Sequence, residues 1–209
     1  MNAESAPQRI TDIETLERLY GMPAGAAVDK EVDYLHPYYQ RLIAASPFFV
    51  LSTGGPDGMD ASPRGDAPGF VAVQDEKTLL VPDRRGNNRV DSLRNIIANP
   101  RVALLFLVPG IGETLRVNGR AEISVDPELL ARFSIKDKAP RSMLVIHIES
   151  VFFLCSRALI RSELWNPERH LERSALPSTG QMLAAVTDQR IDGESYDREL
   201  PPRLKATLY

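Results

Sequence analysis

Apolar positions along the chain switch between two periods. Ile13, Leu16 and Tyr20 recur at helical spacing, after a cap at Thr11 or Asp12 and before Gly21, so Thr11–Tyr20 reads as a short helix. Pro23–Asp29 reads as a linker. Val32, Leu35, Tyr39 and Leu42 suggest a second helix, bent near Pro37 and ending before Ser46-Pro47. The pattern then turns to strands: Phe48–Ser52, a turn at Thr53–Gly58, and a second arm made of Met59–Ser62 and Gly69–Val73 and broken by Pro63–Pro68. Thr78–Val81, Val102–Val108, Thr114–Ser124 and Ser142–Phe153 complete six predicted strands. Two helices fall among them. Val90, Leu93 and Ile97 share one face of the first, which Asn99-Pro100 closes; Asp126-Pro127-Glu128 opens the second with a cap, a proline and an acid. Gln181–Val186 predicts a late helix, and Ile191–Tyr209 reads as a tail.

Six strands without sustained β-α-β alternation predict a mainly β fold with peripheral helices, built as an antiparallel barrel. The expected organisation is an N-terminal helical segment over 1–45, a barrel domain over 46–165 and a C-terminal extension over 166–209.

Composition narrows the function. A net charge of -3 argues against general nucleic-acid binding, which needs a basic surface. The start, Met1 to Arg9, is polar and lacks a signal peptide's apolar stretch, and no apolar run approaches a membrane span. The single cysteine, Cys155, permits no intrachain disulfide and reads as a buried thiol in the apolar run Val151–Cys155. The expectation is a cytoplasmic protein. His36, His147 and His170 show no metal-ligand spacing, so no metal site is expected.

Two segments carry chemistry. Asp60–Phe70 sets Arg64 beside Gly65 and Gly69 inside a strand pattern, where glycine permits a ligand to approach the backbone. Leu80–Arg89 places Arg84, Arg85, Gly86, Asn87, Asn88 and Arg89 just before a helix. Free N–H groups at a helix start, with arginine forks beside them, suit a phosphate. Taken alone, each segment reads more readily as a solvated loop.

Together they resemble the pyridoxamine 5′-phosphate oxidase-like FMN-binding split barrels, in particular a bacterial subgroup. The resemblance rests on Ser46-Pro47-Phe48, Ser62–Val71, Leu80–Leu93, Asn95-Ile96, Leu105–Gly110, Leu115–Ala121 and Cys155–Trp165, and covers roughly residues 11–168. It implies a six-stranded split β-barrel that forms a homodimer, with FMN at the subunit interface. It further implies that the strand holding Ser62, Arg64, Gly65 and Asp66 runs along the cofactor, with Arg64 reaching the phosphate. Asn88 and Arg89 fall where the oxidase has two basic residues; Asn88 is neutral, so Arg85 or Arg84 is an alternative source of that charge. Pro82 and Asp83 match backbone contacts near the flavin, and Thr114 falls where the oxidase has a glutamine. Arg161 and Trp165 lie in the matching end segment, Trp165 either plugging the barrel or packing over the partner's flavin.

The chain departs from the oxidase in two places. It has Gly69 about where that enzyme uses a lysine, and it lacks the Arg-x-His pattern near the end. Pyridoxamine-phosphate oxidation itself is therefore not expected. What the resemblance implies is an FMN-dependent oxidoreductase acting on a small molecule, with NAD(P)H as a donor. The alternative is a non-catalytic protein that binds or senses flavin or haem on the same barrel.

Overall fold

Burial alternates with period two along the strands, as a sheet with one face on a core requires. In β1 (Phe48–Gly55) Phe49, Leu51 and Thr53 are buried; in β5 (Arg101–Leu107) it is Val102, Leu104 and Phe106; in β6 (Thr114–Ser124) it is Leu115, Val117 and Ala121. Antiparallel register lines these up, with Phe49 opposite Phe106 and Phe106 opposite Leu115. The Phe49 and Phe106 rings lie 5.0 Å apart. These strands belong to a computed structural model that describes residues 9–209, so 1–8 of the expected N-terminal segment and polar start lie outside it.

The sheet has seven strands, not the six predicted. The others are β2 (Gly58–Gly65), β3 (Ala72–Asp75), β4 (Thr78–Asp83) and β7 (Ser142–Leu154), and the order is β2-β1-β5-β6-β7-β4-β3. The discrepancy lies in the predicted second arm. β2 runs straight through Pro63, which an edge strand tolerates because one flank needs no ladder donor. Ala72–Asp75 is then a separate strand on the opposite edge, paired with β4. Nor do backbone hydrogen bonds close the sheet into a barrel: β2 and β3 are free edges. β4 is buried along nearly its whole length, including Pro82.

β6 and β7 carry a bulge. The partner of Asn118 is Ser150 and that of Gly119 is Ile148, so Glu149 is the extra residue. A Cβ at Gly119 would overlap the His147 carbonyl, which makes glycine a requirement of the bulge.

The helices serve the sheet unequally. α1 (Ile13–Tyr20) is capped by Asp12, which accepts from the Thr15 N–H at 2.8 Å, but none of its residues is buried. The predicted linker contains a single helical turn, α2 (Ala26–Asp29). The predicted bent helix begins at Pro37 instead. α3 (Pro37–Ala45) buries Ile43, while Val32 bridges to Val151 and Leu35 is buried as extended chain. Proline at the first helical position explains this start. α4 (Asp91–Ala98) turns Leu93 and Ile96 toward the core and leaves Val90 and Ile97 exposed, a different face from that predicted. In α5 (Pro127–Ala131) Asp126 caps as expected. Among the described residues no helix is long and apolar enough to cross a membrane.

The predicted tail is instead a helix. α7 (Thr179–Val186) starts with a full capping box of Ser178 and Gln181, and α8 (Gly193–Thr207) packs against it. Gly180 and Gly193 meet backbone to backbone, with no room for a Cβ on either. Asp197 locks the crossing by accepting from the Ser178 hydroxyl and from the Gly180 N–H. Gly180→Ala is expected to cost this pair about 1–3 kcal/mol, the range for overpacking. In urea the helical circular dichroism should lose an early component while Trp165 fluorescence keeps its midpoint. A joint shift of both signals would show that the pair and the sheet unfold as one unit.

Candidate functional site

The side chains Asp60, Ser62 and Arg64 alternate along β2 and so share one face. That face looks onto the start of α4 across a cleft of about 530 Å³, lined also by Asp83, Arg84, Asn88, Arg89, Ser92 and Arg141. The volume falls within the range of small-molecule sites. The cleft occupies the gap that the sheet leaves open between β2 and β4. Side chains bridge this gap where no ladder does: Arg64 Nη1 donates to Asp83 Oδ1 at 2.5 Å, and Arg84 Nε donates to Asp66 Oδ2 at 2.7 Å.

Three features make the cleft receptive to an anion. First, Arg64 Nε is fully buried and has no hydrogen-bond partner. A buried guanidinium N–H left unpaired costs on the order of 1–3 kcal/mol, and a ligand oxygen would recover that. Second, α4 has no side-chain cap, so its first N–H groups and dipole face the cleft. Third, the entering loop is held in a left-handed backbone, at Asn88 (φ 61°) and at Val90 (φ 52°). For a β-branched residue this is strained, by about 1–3 kcal/mol, and such strain persists where the surroundings impose it.

The acids of the cleft are already engaged. Asp83 holds Arg64; Asp91 holds Arg89 Nε at 2.7 Å; Asp60 accepts from the Ser92 hydroxyl at 2.8 Å, and Ser92 in turn meets Ser62 at 3.0 Å. The hydrogen bond to Asp91 raises the Arg89 guanidinium above its ordinary value, so it is cationic throughout the physiological range. Of the four arginines around the cleft, Arg64, Arg84 and Arg89 pair with Asp83, Asp66 and Asp91, while Arg141 has no carboxylate partner among the described residues. Arg141 also donates to the Asn88 amide oxygen at 2.8 Å, tying the loop to the start of β7.

Asp66 sits just outside. Burial opposes its ionisation, yet the Tyr209 hydroxyl, the Ala67 N–H and Arg84 together hold its carboxyl below the ordinary value. The brace to Arg84 is therefore ionised at neutral pH.

The structure thus brings Ser62, Arg64, Asp83, Asn88 and Arg89 into one cleft, with Gly65 and Asp66 following on the same strand and its exit. Pro82 is buried in β4 and does not line it, and Arg85 lines a neighbouring hollow. Thr114, Arg161 and Trp165 do not join the cleft within one chain. Thr114 begins β6, three strands along the sheet from β2. Arg161 is exposed on α6 (Arg157–Ser162), and Trp165 donates from Nε1 to the Ile111 carbonyl at 2.9 Å, pinning the β5–β6 turn. Cys155 is exposed rather than buried, because β7 ends at Leu154 and the chain turns outward into α6. Asp60, Ser92 and Arg141 escaped the sequence reading. The alternation of β2 signals Asp60, but only the pairing of β4 with β7 brings Arg141 to the cleft.

The family model for pyridoxamine 5′-phosphate oxidase matches residues 35–155, more than half of the chain, and the chain belongs to that family. HupZ of Group A Streptococcus is 19% identical with a TM-score of 0.47, over 58% of this chain and 94% of that one. A Lactobacillus delbrueckii protein named as a candidate pyridoxamine 5′-phosphate oxidase is 24% identical with a TM-score of 0.46, over 58% of this chain and 95% of that one. An FMN-binding protein from Syntrophomonas wolfei subsp. wolfei is 13% identical with a TM-score of 0.42, over 55% of this chain and 87% of that one. The comparison with curated proteins finds no match.

Proposed function

We propose that this protein binds FMN in the cleft between β2, β4 and α4, and that it is an FMN-dependent oxidoreductase working as a homodimer. The observation that carries the reading is Arg64, whose buried Nε lacks an acceptor beside an uncapped helix start. The family supports a flavin as the ligand. Arg64, Arg89 and the first N–H groups of α4 would hold the phosphate, and Asp83 orients Arg64 through its bond at 2.5 Å. Ser62 and Ser92 offer hydroxyls farther along the same face. Bound flavin supplies the redox chemistry, and the chain supplies binding, orientation and exclusion of water.

Within one chain the cleft is open to solvent. In this reading a second copy brings Thr114, Arg161 and Trp165 toward the cofactor and shields it from solvent. The substrate is a small molecule, with NAD(P)H as the electron donor. Gly69, in place of a lysine, argues against pyridoxamine 5′-phosphate as that substrate.

The test is an absorbance spectrum of the purified protein, recorded before and after anaerobic NADPH and then NADH. Flavin bands that bleach with either donor are expected. Bands that survive both donors but bleach with dithionite would leave a binding protein, and a Soret band in their place would overturn the flavin reading in favour of haem.

A further inference from the structure

We propose that Tyr209 is a positioning residue for the cofactor cleft: its docking steadies the cross-brace that presents Arg64, so tail docking and FMN binding strengthen each other. This inference rests on the reading that the cleft holds FMN.

The geometry begins with a contact spanning 143 positions of sequence: the Tyr209 hydroxyl donates to Asp66 Oδ1 at 2.7 Å. The Tyr209 main-chain oxygen accepts from Lys138 Nζ at 2.7 Å. Its ring lies 5.6 Å from the Arg84 guanidinium and 5.8 Å from the Lys136 ammonium, within cation–π range of both. α8 buries no residue of its own. Among the described residues, the hydrogen bonds that tie this helical end to the chain outside α7 are those of Tyr209, to Lys138 and to Asp66 just past β2.

What Tyr209 touches matters more than how tightly it is held. The Asp66 side chain is only 5% exposed, and its other oxygen takes Arg84 Nε. Arg84 directly follows Asp83, and Asp66 lies two residues beyond Arg64. The bonds Arg64–Asp83 and Arg84–Asp66 are therefore two rungs of one brace across the split of the sheet. Tyr209 satisfies the carboxylate of the second rung and stacks on its guanidinium. It also walls a hollow of about 200 Å³ that shares Arg84 and Arg141 with the cleft. Undocking would loosen the second rung and the loop carrying Asn88 and Arg89, and Arg64 would lose part of its fixed orientation. A group that helps the phosphate bind in the docked state must, by linkage, be held more firmly when the phosphate is bound.

The test compares full-length wild type, Tyr209→Phe and Tyr209→Ala in two measurements. FMN affinity is read by quenching of flavin fluorescence, and hydrogen exchange over 193–209 is read with and without FMN. Tyr209→Ala is expected to weaken FMN about 5- to 20-fold, within the usual span of coupling between sites. Tyr209→Phe should fall between, keeping the ring over Arg84 but not the bond to Asp66. FMN should slow exchange over 193–209 in wild type and not in Tyr209→Ala. A purely structural tyrosine would lower stability without this reciprocal protection. Equal or tighter FMN binding by Tyr209→Ala overturns the inference and leaves the FMN site standing, whereas a wild type that binds no FMN overturns both.

Discussion

Arg64→Ala is expected to weaken FMN binding by about 1.5–3 kcal/mol, or roughly 10- to 150-fold, the range for hydrogen bonds to a charged group. The substitution removes the buried Nε that lacks an acceptor and the fork that Asp83 orients. Arg64→Lys should not restore affinity, because an ammonium cannot serve Asp83 and a phosphate with a planar fork. Fluorescence titration of the apoprotein reads the change, and riboflavin is the internal control. Lacking the phosphate, riboflavin should bind both proteins alike. Removing the arginine also strands Asp83, whose side chain is only 13% exposed, so some loss of stability accompanies the loss of affinity. Asp83→Asn in the same background separates the two effects. Unchanged FMN affinity in Arg64→Ala would move the phosphate out of this cleft.

The largest expected effect on stability is Gly119→Ala, at about 3 kcal/mol or more. The new methyl group meets the His147 carbonyl, a backbone atom in the longest strand pairing of the sheet. No side-chain rotation can relieve that overlap; either the bulge opens or β6 shifts register. A register shift of one residue would turn Leu115, Val117 and Ala121 out of the core, so the bulge opens first. For a chain of this size the melting temperature should fall by about 6–12 °C. Thermal unfolding followed by circular dichroism measures it. A change of a degree or less would mean that the strands part at the bulge without cost.

The strands of the core are legible from their apolar patterning. Val102–Val108 stands out as an unbroken strand-sized apolar run and Thr114–Ser124 by alternation, and the structure places strands over Arg101–Leu107 and Thr114–Ser124. β2 was harder. It is a polar edge strand with a proline inside it, and its residues are spent on the cleft rather than on the core. The same demand that makes it functional removes the hydrophobic signal, and so the seventh strand was lost in the count. α8 was hidden for a related reason. Pro201 and Pro202 interrupt its sequence, and it is ordered by contacts that no local pattern displays: Asp197 with Gly180, 17 positions away, and Tyr209 with Asp66, 143 positions away. The basic character of Arg64 and the Arg84–Arg89 loop is readable from residue type. That Ser92, Asp60 and Arg141 complete the cleft was not, since only the assembled sheet makes them neighbours.

The split across which Arg64 meets Asp83 also fixes when the site can exist. β2 and β4 are separated in the sheet by four intervening strands, so no ladder joins them and their ends meet where the sheet curls. Arg64 and Asp83 lie 19 positions apart in sequence, but Arg141 meets Asn88 across 53, and contacts of longer reach cost more closure entropy and form later in folding. The cleft is in that sense a clock. During synthesis or refolding the cleft is incomplete until β7 has paired with β4 and brought Arg141 to the loop, so under the proposed reading flavin held by the chain would mark a molecule that has completed its fold.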